Sequence, residues 1–131
     1  MHALNEGANE FTSYKVFFLS CHDEGFYNVV EAKYGTSAWN DYWSKLDGDG
    51  EIVWGSNAKL TEMGEAQAQA TGEAWKTELA AGLSKPGKFY ISPLSCALET
   101  LEIMFSGLFP EHKSDWVTVL KVNFPESFDY C

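Results

Sequence analysis

His22 stands between a thiol and a carboxylate in the run Ser20-Cys21-His22-Asp23-Glu24-Gly25, directly after the apolar stretch Val16-Phe17-Phe18-Leu19. A second thiol, Cys96, lies in Ser92-Pro93-Leu94-Ser95-Cys96, again directly after a short apolar run, Phe89-Tyr90-Ile91. An imidazole held neutral and in one tautomer can act as a nucleophile near neutral pH. Two thiols beside it open other chemistries: a redox-active or bridged pair, or a soft-metal site built from Cys21, His22 and Cys96. The spacing fits no recognised ligand pattern, so no metal and no cofactor is expected. The plain alternative is a pair of inert thiols.

The elements that must position these groups are legible from periodicity and turn residues. Residues 1–14 read as a polar lead-in, and 15–131 as one domain. Lys15–Ser20 reads as a buried parallel strand, with Gly25 permitting the turn after it. Asn28–Lys33 has room for one or two helical turns. Residues 34–58 read as a long irregular segment carrying Tyr34, Trp39, Tyr42, Trp43 and Trp54. Its aromatic side chains suit core packing or a wall over the pocket. Thr61 can cap a helix running to about Ala80, with Glu62 and Glu65 placed where acids suit the helix dipole, and Gly82 and Pro86 ending it. Lys88–Ser92 reads as a second strand. Leu94, Ala97, Leu98, Leu101, Phe105 and Leu108 then recur at helical spacing, which predicts one buried face. Trp116–Val122 is a candidate third strand. Alternating strands and helices are the grammar of an α/β domain with a parallel sheet, whose ligands sit beyond the carboxyl ends of the strands. Cys21, His22 and Cys96 all fall there. Asp47-Gly48-Asp49-Gly50-Glu51 opens like a calcium loop, but Ile52 and Ala58 stand where that loop needs glycine and glutamate, so a solvated turn is expected.

Three ordered motifs carry a resemblance. The stretch 15–25 is similar to the strand and Arg-His-Gly turn of the histidine phosphatase (phosphoglycerate-mutase-like) superfamily, with Cys21 for the arginine and Asp23 for the glycine. Residues 60–68, Leu-Thr-Glu-Met-Gly-Glu-Ala-Gln-Ala, resemble that family's Leu-Thr-x-x-Gly-x-x-Gln-Ala. Residues 92–100 resemble its Ser-Pro-Leu-x-Arg-Ala-x-x-Thr, with Cys96 at the arginine.

The resemblance covers residues 15 to about 108. It implies a parallel-sheet α/β/α sandwich of phosphoglycerate-mutase-like type, expected here to be truncated. It also implies that His22 is the phosphoryl acceptor, that positions 21 and 96 face the phosphate, and that Asn28 either donates to a phosphate oxygen or caps a helix. A later histidine and an upstream glutamate of the family pattern have no counterpart; neither His2, His112 nor Glu126 lies in matching context.

Composition sharpens this. All nine basic residues are lysines against nineteen acids, for a net charge of −10. Arginine's planar fork matches phosphate oxygens bidentately and lysine's point charge does not. An acidic surface argues against nucleic acid and anionic membranes as partners. With no apolar run of membrane length and no leader pattern, the chain is expected to be cytoplasmic.

The expected function is therefore phosphomonoester hydrolysis or phosphoryl transfer through a phosphohistidine by descent, impaired or inactive. A phosphorylated small molecule or phosphoprotein would be the substrate. The alternatives are a non-catalytic interaction module, self-associating through an exposed sheet edge, or a decayed gene product. Arg→Cys twice and Gly→Asp once are each single transitions.

Overall fold

The computed structural model describes residues 2–109 and 116–118. In chain order the elements are α1 (His2–Glu6), α2 (Phe26–Tyr34), α3 (Thr36–Asp41), a 3₁₀ turn (Trp43–Lys45), α4 (Glu62–Ala80), β1 (Phe89–Ile91), α5 (Ser95–Met104) and β2 (Trp116–Thr118). β1 and β2 pair in parallel, Phe89 opposite Trp116 and Ile91 opposite Thr118. Most of the expected third strand, and Glu126, lie outside the described residues.

The long helix forms as its sequence dictates. Thr61 is the N-cap, its Oγ1 accepting from the Gly64 amide at 3.1 Å, and Glu62 and Glu65 occupy the first turn. One face of α4 carries only small residues, Gly64, Ala68 and Gly72, all buried. That face lets two backbones approach closely. A Cβ on Gly72 would lie 2.6 Å from the Met104 carbonyl oxygen of α5. The approach also sets which side of α5 is buried. Sequence periodicity predicts burial of Leu94 and Leu98. The structure instead buries Cys96, Thr100 and Met104 and exposes both leucines, because α4 presses against the former side.

Two apolar clusters result. In one, Phe89, Met104, Phe105 and Phe109 pack together, and the Phe105 ring lies 5.1 to 5.3 Å from those of Phe89, Phe109 and Trp75. In the other, Val30, Trp54 and Ala58 are buried, with Tyr27, Trp39 and Trp43 packed on them. The segment 34–58 is thus not irregular. α3 and the 3₁₀ turn wrap its aromatics around Trp54, and Tyr34 stacks on Trp43 at 4.2 Å. The Asp47–Glu51 stretch is a turn built on Asp49. Its Oδ1 accepts the amides of Glu51 and Ile52, and its Oδ2 accepts from Lys33 Nζ and Tyr34 Oη, each at 2.7 Å. These donors hold its carboxyl well below the usual range.

Lys15–Ser20 departs from expectation. It forms no ladder, and Val16, Phe17, Phe18 and Leu19 are exposed, Leu19 at 93%. A strand needs a neighbour's amides and carbonyls, and among the described residues none pairs with this segment. Phe18 packs edge-on against Trp75 at 5.0 Å. A sandwich is therefore not seen among the described residues; the sheet there is the single pair β1 and β2. The lead-in has local order of its own. The Asn5 side chain brackets the Tyr14 backbone, donating from Nδ2 to its carbonyl and accepting from its amide at Oδ1.

Candidate active site

Residues 21–25 form a turn between the unpaired apolar stretch and α2, and every backbone amide from 23 to 25 is claimed by a side-chain oxygen. Asp23 N donates to Thr100 Oγ1 at 3.0 Å, Glu24 N to Gln67 Oε1 at 3.0 Å, and Gly25 N to Asn28 Oδ1 at 2.8 Å. The Glu24 carbonyl accepts the Thr61 amide at 3.0 Å, and Glu24 Oε1 accepts the Thr61 hydroxyl at 2.7 Å. A Cβ on Gly64 would fall 2.1 Å from the Glu24 oxygen, so only glycine lets α4 pass here. Gly25 itself forms an isolated antiparallel bridge with Leu60. The threonine, glycine and glutamine of the second motif and the last threonine of the third thus all grip one turn. Sequence reasoning gave Thr61 a role only as the helix cap and gave the other three none. The signal was their place inside the motifs.

What they hold is His22. Its Nδ1 lies 2.7 Å from the Asp23 carbonyl oxygen. A carbonyl only accepts, so Nδ1 carries a proton, and in the neutral form of the ring the lone pair is at Nε2. A half-buried imidazole fixed in that tautomer can attack an electrophile with Nε2.

The thiols sit differently from one another. Cys21 is exposed. Cys96 is 2% exposed and lies beneath the turn, its Cβ 3.6 Å from where a Gly25 Cβ would be. Burial pushes its thiol pKa up, which keeps it protonated. The two are thiols, not a disulfide. Among the described residues no group of three His, Cys, Asp or Glu side chains is placed to hold a metal.

Asn28 caps α2: besides accepting from Gly25 N, its own amide donates to the Gly25 carbonyl at 2.9 Å. Ser92 is a turn residue whose Oγ accepts from Leu94 N. Asp23 has a buried carboxylate oxygen, Oδ2, with no hydrogen-bond partner among the described residues. Desolvation raises its pKa, and the charge on His22 opposes that rise. The cation Lys59 lies 3.8 Å from Glu99 Oε1.

Comparison with known proteins bears on the chain as a whole. It is 45% identical over 108 residues to a protein named "Probable phosphoglycerate mutase" from Arthroderma benhamiae, which covers 82% of this chain and 32% of that one. It is 35% identical over 94 residues to "Phosphomutase-like protein 3" of Candida albicans, covering 72% and 29%. It is 36% identical over 88 residues to "Probable phosphoglycerate mutase PMU1" of Saccharomyces cerevisiae, covering 66% and 30%. The chain thus spans about a third of the length of these relatives. They support the histidine phosphatase superfamily and imply an α/β fold. No protein-family model and no solved structure matches the chain. No helix among the described residues is long and apolar enough to cross a membrane.

Proposed function

We propose that residues 15–131 are part of a histidine-phosphatase-type domain in which His22 is the phosphoryl acceptor and turnover is strongly impaired. The observation that carries the reading is the turn itself. Three motifs meet on it and leave His22 Nε2 as the available lone pair.

In the reaction so read, Nε2 attacks the phosphorus of a phosphomonoester. The N–P bond forms as the P–O bond to the leaving group breaks, and the departing alkoxide takes its proton from solvent water. Water then attacks the phosphohistidine, giving inorganic phosphate and restoring the imidazole. Nucleophile and tautomer are provided for. Stabilisation of charge on the transferring group is not: the chain contains no arginine, and the turn's three amides are already engaged. The Nδ2 group of Asn28 has no protein partner among the described residues and is a donor left over for a phosphate oxygen. Removal of a single oxyanion donor from an enzyme costs about 10²–10³ in rate, so two absent arginines account for a near-silent site. Substrates would be phosphorylated small molecules or phosphoproteins.

The test is phosphate release from an aryl phosphate, compared with His22→Ala. Slow turnover lost in the variant supports the reading. Turnover above the buffer background that survives in His22→Ala overturns it.

A second reading, that the chain acts as an interaction module or self-associates, draws on the exposed apolar run Val16–Leu19 together with Tyr90 and Val117 of the sheet. Sedimentation of the protein against a variant with Phe17 and Leu19 changed to serine tests it. A concentration-dependent dimer lost in the variant is the expected result.

A further inference from the structure

Asp23 is the residue of this turn whose side chain the account above leaves unused. Its main chain does two jobs, since its amide reaches Thr100 on α5 and its carbonyl fixes the tautomer of His22. Its carboxylate does neither. Oδ2 is out of solvent and has no hydrogen-bond partner among the described residues, so that oxygen lacks the donors a carboxylate usually gathers.

The groups packed around it do not neutralise it. Next to it on the turn, Glu24 is held by Thr61, Gly64 and Gln67 of α4 and its cap, all uncharged. From α5 come Thr100 and Cys96, also uncharged, and Glu99, whose Oε2 accepts the Leu60 amide while its Oε1 faces Lys59. On the turn itself are Glu24, whose Oε1 accepts the Thr61 hydroxyl, and His22. Among the described residues His22 is the charged group that acts on Asp23, and it is the group an anion must approach.

We infer that Asp23 is a proton-operated gate on the His22 site: its charged carboxylate keeps phosphate-like anions away, and its protonation admits them. This rests on the reading of His22 as the phosphoryl-accepting residue. The physics is like-charge repulsion in a poorly screened site, where two anions cannot share one pocket cheaply. Burial favours the neutral acid, so protonation comes at a higher pH than for an exposed aspartate. Anion affinity therefore rises as pH falls.

Inorganic sulfate, which stays a dianion across the range used, is the probe. Its binding to the intact chain is followed through the His22 ring proton resonances from about pH 4.5 to 7.5. Affinities are compared at matched His22 ring chemical shift, so that a change in the ring's own charge is not read as the gate. For Asp23→Asn, sulfate binds about tenfold tighter than for wild type near pH 7, and the two curves converge at the acid end. Asp23→Gly, which removes the side chain altogether, follows Asp23→Asn. Equal affinities in wild type and both variants at every pH overturn the gate, and so does the absence of sulfate binding in all three. The gate and the phosphoryl-transfer reading fail separately. Tighter sulfate in Asp23→Asn without His22-dependent hydrolysis keeps the gate and sinks the reading. His22-dependent hydrolysis with sulfate binding unchanged in Asp23→Asn does the reverse.

Discussion

The Cα of Gly64 lies so close to Glu24 that a single methyl group there would sit 2.1 Å from the Glu24 carbonyl oxygen. This contact joins the start of α4 to the turn that carries His22. It explains why a glycine stands three residues after the capping Thr61, where a helix would otherwise favour alanine.

Gly64→Ala is therefore expected to destabilise the protein by about 3 kcal/mol, the upper part of the range for forced overpacking, despite alanine's better helix propensity. Chemical denaturation of the two proteins measures this. An unchanged or raised midpoint would show that α4 can slide away from the turn.

Asp23 sets a pH dependence of stability. Its pKa is raised in the folded chain, so the folded state binds a proton more readily than the unfolded one. The associated stability is fully present below the unfolded value of 3.8 and is lost as pH rises through the folded value. Asp23→Asn should therefore raise the melting temperature at neutral pH, with the gain disappearing toward about pH 4. Melting curves at several pH values check the sign.

Asp49 behaves oppositely. Its pKa is lowered, chiefly by the Ile52 amide and then by Lys33, Tyr34 and the Glu51 amide. Its contribution is present above the unfolded value of 3.8 and is lost as pH falls through the lower folded value. Asp49→Asn should lower the melting temperature at pH 7 and matter progressively less in acid below about pH 4. The same melts on this variant decide it, and the near-UV signal of Trp39, Trp43 and Trp54 should weaken with it, since the turn anchors their cluster.

The thiols should separate by reactivity. Cys21 is exposed and Cys96 is buried with a raised pKa. Iodoacetamide in native buffer should modify Cys21 quickly and Cys96 only after denaturation. Peptide mapping by mass spectrometry reads the two sites apart.

How much of this was legible beforehand differs by element. α4 was readable because its signals are local: Thr61 as cap, two early glutamates, an alanine-rich body, and Gly82 after its end. β1 and α5 were likewise legible, from a short apolar run after Pro86 and from helical periodicity. The buried face of α5 was read only in part: Phe105 is buried with Leu101 and Leu108 packed on its cluster, but Leu94 and Leu98 are exposed because Gly72, on another helix, draws in the side that carries Met104. Lys15–Ser20 has a strand's composition, but pairing is a property of two segments and local sequence cannot supply the second. The aromatics of 34–58 fold around Trp54 through contacts of the same non-local kind. In the site, His22, Cys21 and Cys96 were named from the motifs, yet the grip of Thr61, Gln67 and Thr100 on the turn, and the orphaned oxygen of Asp23, required coordinates.

The most direct test of the central claim, that His22 sits in a formed nucleophile turn silenced by missing cations, is to return arginine to positions 21 and 96. Cys21→Arg alone and with Cys96→Arg, each checked for folding by its melt, should raise aryl phosphate hydrolysis by about 10²-fold or more over wild type. The gain should vanish when His22→Ala is added. A folded double variant with no gain, or a gain that survives His22→Ala, would contradict the account.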